Sequence, residues 1–239
     1  MSENGQSIKR KRVLLTGASS GIGAAIAEVL SDMNCQVFCI GRDFKKSGTA
    51  DLINICCDLL DTDALIRTVK DIRKEGNIDI LINNAGCAYY GLHEELDVKM
   101  IQEMVRTDLE VPMILTQLLL RDLKANRGTI INISSVTALS QSNPHGAAYG
   151  ALKAGLRSFS SSIFEESRKH GVRVSTIMPD MTKTKLYRNA DFDVEDTEGA
   201  YLEPDEVAEA VRYILERPEG VVIPEMVLRP QLHRIRRKK

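Results

Sequence analysis

Apolar residues fall along this chain in two rhythms. Short runs at 12–16, 36–41, 52–57, 78–83, 128–134, 172–178 and 220–224 have the length of buried strands. Over 21–33, 61–75, 97–125, 146–170 and 203–217, apolar positions instead recur every three or four residues, as on one face of a helix. The two patterns alternate throughout, which predicts an α/β fold: a parallel sheet of about seven strands with helices on both faces. Runs such as Ile78-Asp-Ile-Leu-Ile82 suit strands covered on both sides. No repeat or linker interrupts the pattern, so 1–239 reads as one domain. One segment departs from it. Residues 181–203 have weak periodicity, and eight of the residues from Asp191 to Glu206 are acidic while none is basic. This segment is expected to be a substrate loop at the ligand end of the sheet, with a solvated surface excursion as the alternative.

Composition narrows the reading. A chain of 239 residues with 43% hydrophobic content can bury a substantial core. No apolar run approaches the ~20 residues of a membrane span. The basic stretch Lys9–Arg12 leads into a strand and turn rather than a cleavage region, so a cytoplasmic protein is expected. A formal net charge of −1 argues against nucleic acid as a partner. The basic tail within 230–239, Arg234-Ile-Arg-Arg-Lys-Lys239, reads as a solvated end, with an anion-binding or interface arm as the alternative. The five cysteines form no Cys-x-x-Cys pair, and the four histidines are scattered, so no metal site is expected. The cysteines read as reduced core thiols, with Cys87 expected to be less buried because it follows a candidate site loop.

The most informative stretch is Val13-Leu-Leu-Thr-Gly-Ala-Ser-Ser-Gly-Ile-Gly23. Gly17 lets the chain turn sharply out of a strand. Gly21 and Gly23 let backbone approach a ligand and let a helix pack on the sheet. The helix start then offers free N–H groups and a positive dipole end to a phosphate.

The segment Thr16-Gly-Ala-Ser-Ser-Gly-Ile-Gly23 resembles the short-chain dehydrogenase/reductase family, with its Rossmann-type doubly wound sheet. Further matches follow in the family's order over about residues 10–228. Asp58, with Leu59 beside it, matches the adenine contact. Asn83-Asn84-Ala85-Gly86 matches a cofactor segment at the end of the fourth strand. Ser135 matches the catalytic serine, and Tyr149-Gly-Ala-Leu-Lys153 matches Tyr-x-x-x-Lys. The resemblance implies a carbonyl–alcohol oxidoreductase. Its cofactor contacts would be Gly17, Ser19, Ser20, Gly21, Ile22, Gly23, Arg42, Asp58, Leu59, Asn84, Ala85, Gly86, Pro179, Thr182 and Thr184, together with Tyr149 and Lys153. Ser135 would hold the substrate oxygen. Tyr149 would be general acid or base, its pKa expected to fall under the Lys153 ammonium and the positive charge of the oxidised nicotinamide. Tyr149 and Lys153 lie four residues apart on a predicted helix and so share a face.

At the end of the second strand, Gly41-Arg42-Asp43 carries a basic side chain where an acidic one would favour NAD. Arg42 therefore predicts NADP(H). If Arg42 only pairs with Asp43, NAD(H) becomes the alternative. Two positions depart from the family pattern. Asp108 stands where the family has a catalytic asparagine, and its charge, if paired with Lys153, would weaken the push on Tyr149. Asp180 stands where glycine usually follows Pro179. These departures keep open a second reading, a non-catalytic NADP(H)-sensing regulatory protein. The expected substrate is a small carbonyl or alcohol; the acidic run argues against an acyl carrier protein. The resemblance implies a homodimer or homotetramer. Leu115, Leu118 and Leu119 are candidates either for that interface or for the core.

Overall fold

A computed structural model describes residues 10–44 and 50–238; Lys9 and Lys239, which end the two basic stretches noted above, lie outside the described residues. The strands are β1 (Arg12–Thr16), β2 (Gln36–Gly41), β3 (Leu52–Cys56), β4 (Ile80–Asn83), β5 (Thr129–Ile133), β6 (Arg173–Pro179), β7 (Phe192–Val194), β8 (Glu225–Leu228) and β9 (Ile235–Arg237). Seven form one sheet in the order β3-β2-β1-β4-β5-β6-β8, and β7 and β9 form a separate ribbon. Every pairing in the large sheet is parallel. Strand order reverses between β1 and β4, which opens a crevice at their carboxyl ends.

Alternation along the strands feeds two cores. Val13, Leu15, Val37, Ile82, Ile131 and Ile177 point to one face and pack under α1 (Gly21–Asp32) and α6 (Pro204–Leu215). Leu14, Phe38, Leu81, Ile130 and Val174 point to the other, covered by α2 (Thr62–Lys74), α4 (Val111–Asn126) and α5 (Ala147–Ser167). Each fully buried Leu or Ile contributes roughly 1.5–3 kcal/mol. Leu115 and Leu119 have no exposed surface, and Leu118 packs against the same core. Their place is under the sheet, so the interface role considered for them does not hold for Leu115 and Leu119.

Three expectations are corrected. The last strand of the sheet is Glu225–Leu228, not 220–224, because Pro224 has no N–H to donate and pairing with β6 begins at Glu225. The helix expected over 97–125 is three elements: α3 (Val98–Val105), a π turn at Arg106–Glu110, and α4. Pro112 accounts for the break. It cannot donate to the carbonyl four residues earlier, that of Asp108, and the Val111 N–H bonds five residues back to Arg106 instead. Finally, the basic tail is solvated, exposed along 231–238, but it is not loose: β9 pairs antiparallel with β7, inside the acidic loop. Among the described residues no helix is long and apolar enough to cross a membrane.

Candidate active site

The glycine turn is built as its sequence requires. Gly17 has φ +70°, and a Cβ there would meet the Ala85 Cα at 2.8 Å. At Gly23 a Cβ would lie 2.1 Å from the Gly17 carbonyl oxygen, so this glycine serves the closure of the turn itself. Asn84 ties the turn to β4: its Nδ2 donates to the carbonyls of Thr16 (3.0 Å) and Gly17 (3.2 Å). The N–H groups of Asn84 and Ala85 both donate to Thr16 Oγ1 at 3.1 Å. Helix α1 follows Ser20, whose side chain does not cap it, and has no acidic residue in its first turn. That leaves N–H donors and the dipole end for an anion, so these residues fit a dinucleotide's phosphates.

One cleft runs from this turn across the ends of β1, β4 and β5. It is lined by Gly17, Ser19, Ser20, Gly21, Ile22, Gly23, Arg42, Asp58 and Leu59 on one side. Asn84, Ala85, Gly86, Ser135, Tyr149, Lys153, Pro179, Thr182 and Thr184 line the rest. Of the site residues named from the sequence, Asp108 alone is absent from the lining; it stands behind the wall. The turn at Arg106–Glu110 turns its side chain inward, where it has no exposed surface. Asp108 Oδ1 is 2.9 Å from Lys153 Nζ, and Oδ2 accepts the Cys87 N–H at 3.1 Å. Gly86 permits this approach, since a Cβ there would lie 2.9 Å from Asp108 Oδ1. Lys153 Nζ also donates to the Ile133 carbonyl at 3.1 Å, and Ser134 Oγ donates to the Lys153 carbonyl at 3.0 Å. Lys153 is thereby fixed between the Arg106–Glu110 turn and the end of β5.

The electrostatics correct one expectation. The Tyr149 phenol is pushed well up, not down. Burial is the main cause, with Tyr90, Asp108 and Tyr187 adding to it and a hydrogen bond with Ser135 opposing it. Asp108 offsets the Lys153 charge that would otherwise lower the phenol, and itself adds to the rise. Burial also raises the Asp108 carboxyl, against the pull of Lys153 and the Cys87 donors. Cys87, expected to be less buried than the other cysteines, is buried, and its thiol is pushed up to about 12 by burial and by Asp108. It is an inert thiol here. The exposed cysteine is Cys56, at the end of edge strand β3.

The cleft includes residues the sequence did not single out: Glu103 and Thr107 from the α3 side, and Tyr187 and Asn189 from a short 3₁₀ turn at Lys185–Asn189. An aromatic wall stands beside the phenol. The Tyr90 ring lies 5.7 Å from that of Tyr149, 6.4 Å from Tyr187 and 5.0 Å from Phe192. The signal available for it was the pair Tyr89-Tyr90, two residues beyond the Asn-Asn-Ala-Gly segment, in a chain with few aromatics.

Comparison with known proteins agrees with this geometry. The family model for short chain dehydrogenases matches residues 11–194. An uncharacterised oxidoreductase of Staphylococcus epidermidis is 31% identical over 231 residues, covering 93% of this chain and 98% of that one. An alcohol dehydrogenase from the archaeon Thermococcus sibiricus, solved with 5-hydroxy-NADP, superposes with a TM-score of 0.84 at 25% identity, over 95% of this chain and 99% of that one. A metagenomic short-chain oxidoreductase in complex with NADP gives 0.78 at 29% identity, over 93% and 98%. The chain therefore belongs to the short-chain dehydrogenases, a family of oxidoreductases built on this nucleotide-binding fold.

Proposed function

We propose that the protein is an NADP(H)-dependent oxidoreductase interconverting a carbonyl and a primary or secondary alcohol, with Tyr149 as general acid or base. The observation that carries this reading is the Tyr149 phenol, hydrogen-bonded with Ser135 and beside Lys153, in a cleft that continues to the glycine turn. When bound, the nicotinamide supplies or takes up the hydride. The chain's own residues do the rest. Ser135 hydrogen-bonds the substrate oxygen and holds it at the phenol. Tyr149 donates its proton to that oxygen in reduction and takes it back in oxidation. Burial keeps the phenol protonated at neutral pH, the state that reduction needs. Lys153 binds the nicotinamide ribose from its fixed position. Arg42, exposed at the mouth beyond β2, offers a planar fork to a 2′-phosphate, which supports NADP(H) over NAD(H). The two NADP-type complexes among the solved relatives support the same choice.

Tyr187, which lines the cleft with the Tyr90 and Phe192 rings packed against it, favours a small, largely apolar carbonyl compound. We extend the family's habit of forming dimers or tetramers to this chain as part of the proposal. The second reading, an NADP(H) sensor without turnover, draws on the buried Asp108–Lys153 pair, which occupies the lysine. NADPH consumption over a panel of aldehydes and ketones, compared with Tyr149→Phe, separates the two. An enzyme loses about 10²–10⁴-fold in rate in the variant while still binding NADPH. Binding without tyrosine-dependent consumption leaves the sensor.

A further inference from the structure

Two features of the sequence have no part in the chemistry above: an acidic loop and a basic tail. The fold joins them, and the junction lies at Asp180. This residue lines the cleft directly after Pro179, yet only 3% of its side chain is exposed. Oδ2 accepts from Arg229 Nη1 at 3.2 Å. Oδ1 accepts the Met181 N–H at 2.8 Å and lies 3.0 Å from His233 Nδ1. The Asp180 N–H donates to the Leu228 carbonyl at 2.9 Å, so backbone and side chain both grip the segment that leaves β8. His233 is held at φ +44°, a left-handed conformation that non-glycine residues seldom adopt.

From this anchor the tail crosses the loop. The Leu232 N–H donates to the Gly199 carbonyl (2.8 Å) and the Arg234 N–H to that of Ala200 (3.3 Å). The Glu195 N–H donates back to Arg234 (3.2 Å), and β9 then pairs with β7. At the far side the Lys238 N–H reaches the Asp191 carbonyl at 2.7 Å, and its Nζ reaches the Tyr187 carbonyl. The crossing buries little: residues 231–238 are exposed. Backbone hydrogen bonds and opposite charge, such as Arg234 against Glu195 at 3.7 Å, do the holding. The held segment carries Tyr187 and Phe192, whose rings pack on Tyr90 and through it on Tyr149. It also follows Thr182 and Thr184 on the cofactor side of the cleft.

We infer that residues 229–238 are a strap that fixes the loop 181–203 over the cleft, with Asp180 as the positioning residue at its anchor. The strap's existence is independent of the reaction; its effect on turnover rests on the oxidoreductase reading. A closure made of exposed hydrogen bonds and charge opens more readily than one made of core packing, and it weakens with salt. An open loop lowers apparent cofactor affinity by the fraction of molecules left closed.

Three full-length or near-full-length proteins test this: the natural chain, a chain ending at Pro230, and Arg229→Ala/His233→Ala, which keeps Asp180. Amide hydrogen exchange over 183–202 and NADPH binding by fluorescence titration need no turnover. The altered proteins should exchange at least about tenfold faster in that window and bind NADPH about tenfold more weakly, with β4 and β5 amides as protected as before. In turnover, KM for NADPH should rise while kcat is kept. Asp180→Asn, which retains an acceptor for Met181 but not the charge, should fall between the natural and truncated chains. Unchanged exchange over 183–202 with an intact sheet would overturn the strap. If the truncated chain does not fold, the double substitution decides by the same reading. Absence of NADPH consumption in the natural chain would sink the oxidoreductase reading and leave the exchange result standing.

Discussion

Lys153 Nζ lies 2.9 Å from Asp108 Oδ1, and the two side chains are 4% and 0% exposed. A buried pair of this kind has no water to share its charge, so the carboxylate acts on the lysine and on the phenol beside it. Asp108 is among the causes that raise Tyr149. Alcohol oxidation needs the phenolate, so its rate should climb with pH toward the raised pKa. Reduction needs the phenol and should be flat through neutral pH. Asp108→Asn removes the charge but keeps an oxygen for Lys153. It should shift the oxidation profile to lower pH and raise the rate near neutrality. A profile that does not move would show that Asp108 has no hold on the tyrosine.

The Arg42 guanidinium tests the cofactor choice. Charge-assisted hydrogen bonds contribute about 1.5–3 kcal/mol each, so Arg42→Ala should raise KM for NADPH about 10–100-fold. KM for NADH should stay near its original value. Equal rises for both cofactors would return Arg42 to a general role at the cleft mouth and reopen NAD(H).

At Gly23 the space is already taken by backbone, the Gly17 carbonyl. Gly23→Ala therefore cannot be relieved by a side-chain rotation. It should cost at least about 1–3 kcal/mol of stability and abolish NADPH binding in whatever folds. Thermal unfolding with and without NADPH measures both effects.

Leu115 separates core from interface. Leu115→Ala should destabilise the fold by about 2–5 kcal/mol, the usual cost of a buried cavity, and leave the oligomeric state as it was. Light scattering that shows dissociation without loss of stability would contradict its place under the sheet.

Much of this was readable from the chain. Parallel strands buried on both sides leave near-continuous apolar runs, so six of the seven sheet strands stood within a few residues of their place. Glycines whose Cβ would strike backbone, and a Tyr and Lys one helical turn apart, are local signals, and they marked the cleft. What stayed hidden depends on contacts far apart in sequence. The ribbon of β7 and β9 joins residues some forty positions apart through backbone bonds that no side-chain rhythm encodes. Asp180 looked like a departure from a glycine pattern until Arg229 and His233 arrived beside it. The break at Arg106–Glu110 did have a written cause in Pro112, but apolar periodicity masked it.

That break also makes the site sensitive to chain length. Successive residues of a regular helix are about 100° apart around its axis. Removing a single residue from the Arg106–Glu110 stretch would let α3 and α4 fuse in register and swing the carboxylate away from its ammonium. The same edit in an exposed connection would be absorbed by slack. A stretch that reads as the middle of an ordinary helix is thus one where insertions and deletions are least affordable, and a frame-preserving deletion scan across it would locate the site without any substitution at all.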